Sequence, residues 1–306
     1  DAFAPTATIT FPANDFSTNT AITITGASND SGVGVSTISI SLGKGSAEGG
    51  SVCYNPNPAQ TDFDNACPFW FAAGGSPDNW SVSGVDWVDA TGGDGRYFIL
   101  ARSSDNANNT QDAFVLNVSS RSFYREATGP VTTITDPASN YDRVSSPLPM
   151  LGTAADALSG VAKVEVRVKR SSGTIGWWNP AVTNFVADSP DNANAAWFDA
   201  APVSGWTSWS VSSGSLNIDL ESGEHYQFMA RSSDTAGNWS AAYSTRTFAV
   251  DFSSAVTVST FPSEGVYQAV NNLSYIAGTL QEQPWQAGLS SGAITCIKAR
   301  LRRNSD

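Results

Sequence analysis

One histidine, three cysteines and two methionines in 306 residues leave little material for side-chain chemistry. A Ser–His or Cys–His nucleophile needs an imidazole beside it, and a zinc hydrolase needs a cluster of histidines or thiolates. His225 stands alone next to Tyr226, in a segment that reads as strand, and supplies neither. A glycosidase-type carboxylate pair is fixed by no spacing in the chain, and the acidic residues fall mostly in turns. Basic residues are also scarce: 16 Lys and Arg against 28 Asp and Glu give a net charge of −12. Nucleic-acid binders displace counterions with a basic stripe, so that class of partner is excluded. Divalent cations suit the balance better. No apolar run approaches the roughly 18 to 20 residues of a membrane-spanning helix, so this segment is expected not to insert in a membrane. The opening "DAFAPTATIT" lacks a basic-then-apolar leader and reads as the interior of an exported chain.

What the chain does have is repetition. "ARSSDNANN" at 101–109 returns as "ARSSDTAGN" at 230–238. "TITFP" (8–12) recurs as "TITDP" (133–137) and "VSTFP" (258–262), a step of 125 each time. Gly26, Gly152 and Gly278 follow at steps of 126, and "NWSVS" at 79 matches "SWSVS" at 208. Small drifts in the offset are what loop insertions produce when the strands between them stay in register. A repeat at a fixed period is one structural unit copied. The expected domains are residues 1–126 and 127–251, with a third, incomplete copy over 252–306.

Each copy alternates with period two. Ile38, Ile40 and Leu42 are separated by Ser, and Val164, Val166 and Val168 by Glu165 and Arg167; Ile297, Ala299 and Leu301 alternate with Lys298 and Arg300 in the third. Such alternation places one face of a strand in a core and the other in water. Short strands punctuated by Gly, Pro, Asn and Asp predict sandwiches of antiparallel sheets. "DGRYFILARSSD" (94–105) and "SGEHYQFMARSSD" (222–234) each place a Tyr just after a Gly-bearing corner. Tyr97 and Tyr226 therefore read as tyrosine corners, structural residues whose hydroxyls bond back to the turn.

On these residues ("APTATITFP" and "GPVTTITDP", "SGV", "WNP", the corner Tyr, "SSDTAGN") the chain resembles the tandem bacterial immunoglobulin-like domains of large secreted and cell-surface proteins. The resemblance implies an all-β fold of tandem immunoglobulin-like antiparallel β-sandwich domains and an extracellular setting. It implies spacer, stalk, fibre or adhesin roles and no particular activity. A cysteine-bearing insertion in the first copy and the loop "QEQPWQAGLSSG" in the third depart from the pattern.

Three constellations remain. Cys53 and Cys67 bracket 13 residues and read as a local disulfide, the competing readings being free thiols or half a zinc site; Cys296 has no evident partner. Asp105 with Asn109, and Asp234 with Asn238, sit where such residues cap their own turns. Their alternative role is a calcium site, in which Asp234, Asn238 and Asp156 face the linker near Glu126 with the oxygen ligands Ca²⁺ prefers. The ten tryptophans divide by repetition. Trp70 and Trp197, like Trp80 and Trp209, occupy equivalent positions and read as core, with Trp87 alongside. Trp177, Trp206, Trp239 and Trp285 are unmatched and are the candidates for a glycan or protein contact.

The expected function is a non-enzymatic structural repeat segment of a long extracellular surface or filament protein. Its expected partners are further repeats of the same chain or copies of itself. The rival is an adhesin or glycan-binding module that meets a cell-surface receptor through the loop tryptophans.

Overall fold

A computed structural model describes residues 2–46, 50–57, 63–87, 93–137, 141–142, 150–211, 220–250, 255–262, 275–281 and 297–299. The strands of the first copy are β1 (Thr6–Phe11), β2 (Phe16–Thr18), β3 (Ile24–Asn29), β4 (Val35–Lys44), β5 (Val52–Tyr54), β6 (Phe63–Asn65), β7 (Phe71–Ala72), β8 (Gly74–Ser76), β9 (Asn79–Val82), β10 (Gly95–Asp105) and β11 (Ser120–Arg125). The second copy holds β12 (Val131–Asp136), β13 (Tyr141–Asp142), β14 (Met150–Ala155), β15 (Val161–Arg170), β16 (Gly176–Asn179), β17 (Asn184–Ala187), α1 (Pro190–Ala195), β18 (Phe198–Asp199), β19 (Ala201–Pro202), β20 (Trp209–Val211), β21 (His225–Asp234) and β22 (Ser244–Val250). An antiparallel strand pair, β23 (Val256–Phe261) and β24 (Ala277–Gln281), belongs to the third.

The pairing repeats strand for strand. One sheet runs β1-β3-β9-β8 and its counterpart β12-β14-β20-β19; the other runs β2-β11-β10-β4-β5-β6 and its counterpart β13-β22-β21-β15-β16-β17. Among the described residues the pairings with a stated direction are antiparallel except the short β2–β11 and β13–β22 contacts, which are parallel. These are immunoglobulin-like β-sandwiches. Packing divides the chain into two compact units: residues 1–131 with the loops 154–163 and 232–242, and the remaining residues.

The cores follow from the alternation. In the first sandwich Ile9, Ile24, Ile40, Leu42, Trp80, Tyr97, Ile99 and Phe123 are fully enclosed. Ile134, Met150, Val164, Val166, Val168, Trp178, Trp209, Tyr226, Phe228 and Phe248 fill the second. Each such aliphatic side chain contributes roughly 1.5–3 kcal/mol relative to exposure. A glycine sits under each central tryptophan. A Cβ on Gly26 would lie 2.0 Å from the Trp80 ring and one on Gly152 2.1 Å from that of Trp209, so only glycine lets the indole lie against the neighbouring strand.

Both tyrosine corners form. Tyr97 Oη donates to the Gly93 carbonyl at 2.7 Å, and Tyr226 Oη accepts from the Glu221 amide at 2.8 Å. Cys53 and Cys67 form a disulfide with Cα atoms 5.2 Å apart. Two sequence expectations need correction. Trp70 and Trp197 are not enclosed core residues: each is half-buried and lies under an arginine, with Arg102 4.0 Å from the Trp70 ring and Arg231 4.1 Å from that of Trp197. The helix α1 was not expected either. Ser189 caps it, accepting from the Asn192 amide, and Pro190 opens it, but six residues are too few to show a helical period. Ile297 is exposed, Cys296 and Leu301 lie outside the described residues, and no helix among the described residues is long and apolar enough to cross a membrane.

Candidate cation site

The loop after β14 and the loop after β21 are both closed by aspartates. Asp156 Oδ2 accepts from the amides of Leu158 (3.1 Å) and Gly160 (2.7 Å). Asp234 Oδ1 accepts from the Asn238 amide at 2.7 Å, and its Oδ2 from Asn238 Nδ2 at 2.8 Å. The segment leaving β11 joins them. Glu126 has its amide on the Thr18 carbonyl, its own carbonyl on Asn238 Nδ2 (2.8 Å), and its carboxylate Oε2 on the Ser159 amide (2.9 Å).

This brings one carboxylate oxygen from each of Glu126, Asp156 and Asp234 within 4.8 Å of one another. Glu126 is 2% exposed and Asp234 3% exposed. All three residues lie in the first compact unit. Among the described residues none of them has a salt bridge. Burial pushes the Glu126 carboxyl above its ordinary value; hydrogen bonding from Ser159 opposes this, and the neighbouring charges of Asp156 and Asp234 add to it.

The donor set fits a hard cation. Oxygen ligands lie 2.3–2.6 Å from Ca²⁺, so two of them can be up to about 5 Å apart and still share one ion. Carboxylates without thiolate or imidazole favour Ca²⁺ or Mg²⁺ over transition metals. Glu126, Asp156 and Asp234 would hold the ion. Asn238 braces the site: its side-chain Nδ2 donates to Asp234 and to the Glu126 carbonyl.

The equivalent turn of the first copy is built alike but gathers fewer charges. Asp105 Oδ1 accepts from the amides of Ala107 and Asn109, and Oδ2 from Asn109 Nδ2. Burial pushes the Asp105 carboxyl up, but these hydrogen bonds outweigh it and hold the group below its usual range. Asp105 and Asn109 thus cap their own turn, and among the described residues no group of three acidic side chains includes them.

The tryptophan candidates separate. Trp177 is 5% exposed, donates from Nε1 to Asp188 Oδ1 at 2.7 Å, and stacks on Arg167 at 4.4 Å and Lys169 at 5.0 Å. It is a packed residue, contrary to its expected place in a contact surface. Arg167 reaches the Trp197 ring as well, also at 4.4 Å, so a cation–aromatic ladder runs Lys169–Trp177–Arg167–Trp197–Arg231 and ends on Glu165. Repetition hid this ladder, because its rungs alternate between matched and unmatched positions. Trp206 is half-buried, Trp239 is 44% exposed, and Trp285 lies outside the described residues.

No protein-family profile matches the chain, and no curated protein is similar to it in sequence. Among solved structures it is similar to E. coli alpha-2-macroglobulin in its native conformation, at 9% identity over 91% of this chain and 16% of that one, with a TM-score of 0.26. It is also similar to the two tandem V-type regions of VCBP3, a v-region-containing chitin binding protein, at 9% identity over 81% of this chain and 100% of that one, with a TM-score of 0.20. The chain therefore spans about 16% of the length of the macroglobulin that it matches.

Proposed function

We propose that this chain is a non-enzymatic structural repeat segment of a long extracellular bacterial surface or filament protein, and that a calcium ion on Glu126, Asp156 and Asp234 rigidifies it. The observation that carries this reading is the buried carboxylate group at the segment leaving β11, in a chain that repeats one sandwich strand for strand. Three acidic groups so close repel one another, and burial deepens the penalty. A divalent ion turns that repulsion into attraction. The linker then becomes a fixed connection to the 154–163 and 232–242 loops. A disulfide suits an oxidising compartment.

The test is thermal melting and limited proteolysis of the whole chain in Ca²⁺ and in EDTA. Calcium is expected to raise Tm and to protect the 126–130 segment from cleavage. Identical cleavage of that segment in Ca²⁺ and EDTA contradicts the cation role. The glycan-binding alternative draws on the 44% exposure of Trp239. A glycan screen with Trp239→Ala as control decides it.

A further inference from the structure

One strand of the second sandwich carries charges where its counterpart in the first carries none. On β15 the residues that alternate with the enclosed Val164, Val166 and Val168 are Glu165, Arg167 and Lys169; the matching positions of β4 hold Ser39, Ser41 and Gly43. In the first copy the disulfide covers this part of the face. Cys53 pairs with Gly43, and its Sγ lies 3.4 Å from Ser41 Oγ. In the second copy Trp177 pairs with Lys169 where Cys53 would stand, and the cation–aromatic ladder crosses the face instead.

Both ends of that ladder have a carboxylate of their own. Lys169 Nζ lies 2.7 Å from Asp188 Oδ2, and Arg231 Nη2 lies 2.6 Å from Glu165 Oε2. Arg167, the middle rung, has none: among the described residues it forms no ion pair. Its Nη1 donates to the Ala193 carbonyl at 3.0 Å and its Nε to Met229 Sδ at 3.3 Å. Nη2 is left with no acceptor among the described residues, and it is not an enclosed atom, so solvent reaches it. Burial pushes the guanidinium below its ordinary value; Tyr243 opposes this and the charge of Arg231 adds to it. A half-buried charge with no counter-ion is costly, and an anion at Nη2 would relieve that cost.

The surroundings narrow the anion. The indoles of Trp177 and Trp197 each lie 4.4 Å from the Arg167 guanidinium and fix its orientation in advance, so little side-chain freedom is lost on binding. Beside it stands Tyr243, 49% exposed, with its ring 5.2 Å from the guanidinium and set edge-on to Trp197. One uncompensated positive charge matches a singly charged carboxylate better than a phosphate, and a guanidinium edge is its natural partner. An exposed aromatic ring next to that charge offers a surface for the C–H face of a sugar.

We infer that Arg167 and Tyr243 form a recognition site for a carboxylated glycan, with Nη2 donating to the carboxylate of a uronic acid and the Tyr243 ring lying against its pyranose. The rest of the chain, at a net charge of −12, repels anions, so a fixed cation without a partner marks where one is admitted. The first sandwich has serine at the position of Arg167 and lacks the site. The inference rests on neither the cation site nor Trp239.

The test is calorimetric titration of the 306-residue chain with a hexamer of α-1,4-linked galacturonic acid, in EDTA so that the cation site plays no part. The comparators are the α-1,4-linked glucose hexamer, which lacks the carboxylates, and hexaglutamate, which lacks the sugar rings. Saturable binding of the galacturonate hexamer is expected, at least tenfold tighter than that of either comparator. Arg167→Gln and Tyr243→Ser should each weaken it at least fivefold, and Trp239→Ala should leave it unchanged. Arg167→Gln also removes a rung of the ladder, so Tyr243→Ser, a change at the exposed rim, is the deciding variant. No saturable binding, equal binding of hexaglutamate, or binding indifferent to Tyr243→Ser overturns the inference.

Discussion

Glu126 carries the clearest residue-scale consequence, because its acidity and its ligand role are linked. Its folded carboxyl titrates above its ordinary value, so the folded state holds the proton more tightly than the unfolded chain. For this group, stability without metal is greatest below the unfolded value and falls as pH rises through the raised folded one. Calcium needs the ionised form and should reverse that loss. Melting in EDTA against pH should therefore show a Glu126-dependent decline that excess Ca²⁺ removes. Glu126→Gln keeps an acceptor for the Ser159 amide but drops the charge. It should leave Tm in EDTA unchanged or higher and abolish the calcium response, which for the parent chain is about 2.7 kcal/mol at one hundred times Kd. Tyr97→Phe tests the first corner: losing the bond to the Gly93 carbonyl should reduce stability by about 1 kcal/mol in denaturant unfolding.

At the scale of elements, the Gly–Trp pairs and the disulfide-closed insertion are separable supports. Gly152→Ala drives a methyl into the Trp209 indole and the Thr133 carbonyl, and should destabilise the second sandwich by about 1–3 kcal/mol or more. Reducing Cys53–Cys67, whose sequence separation is 14, should lower stability by about 3 kcal/mol, read as a shift of the urea midpoint between oxidised and reduced protein. Much of this layer was legible in the sequence. Ile38, Ile40, Leu42 and Val164, Val166, Val168 declare an inner face by period two, and repetition marks Trp80, Trp209, Tyr97 and Tyr226 as framework. The same reasoning misplaced Trp70 and Trp197, since equivalence shows that a position matters but not which face of the sheet it occupies. Trp177 was misread for the converse reason: an unmatched residue can still be buried, here by Arg167 and Lys169. The sequence places Asp156 and Asp234 in loops that face the linker near Glu126, and one carboxylate oxygen of each of the three lies within 4.8 Å of the others. The bracing role of Asn238 depends on which of its side-chain atoms faces Asp234, and residue type alone does not state that.

For the molecule as a whole, the role we propose is architectural. On that proposal a sandwich copied strand for strand provides spacing, and a buried carboxylate group at the linker provides a point to stiffen. Each can fail separately under the tests above without removing the other. The central claim, a repeat segment of an extracellular filament, is tested most directly by electron microscopy of the native protein with image averaging along any fibre. Continuous, regularly beaded rods are the predicted result. Isolated particles with no axial repeat would contradict it.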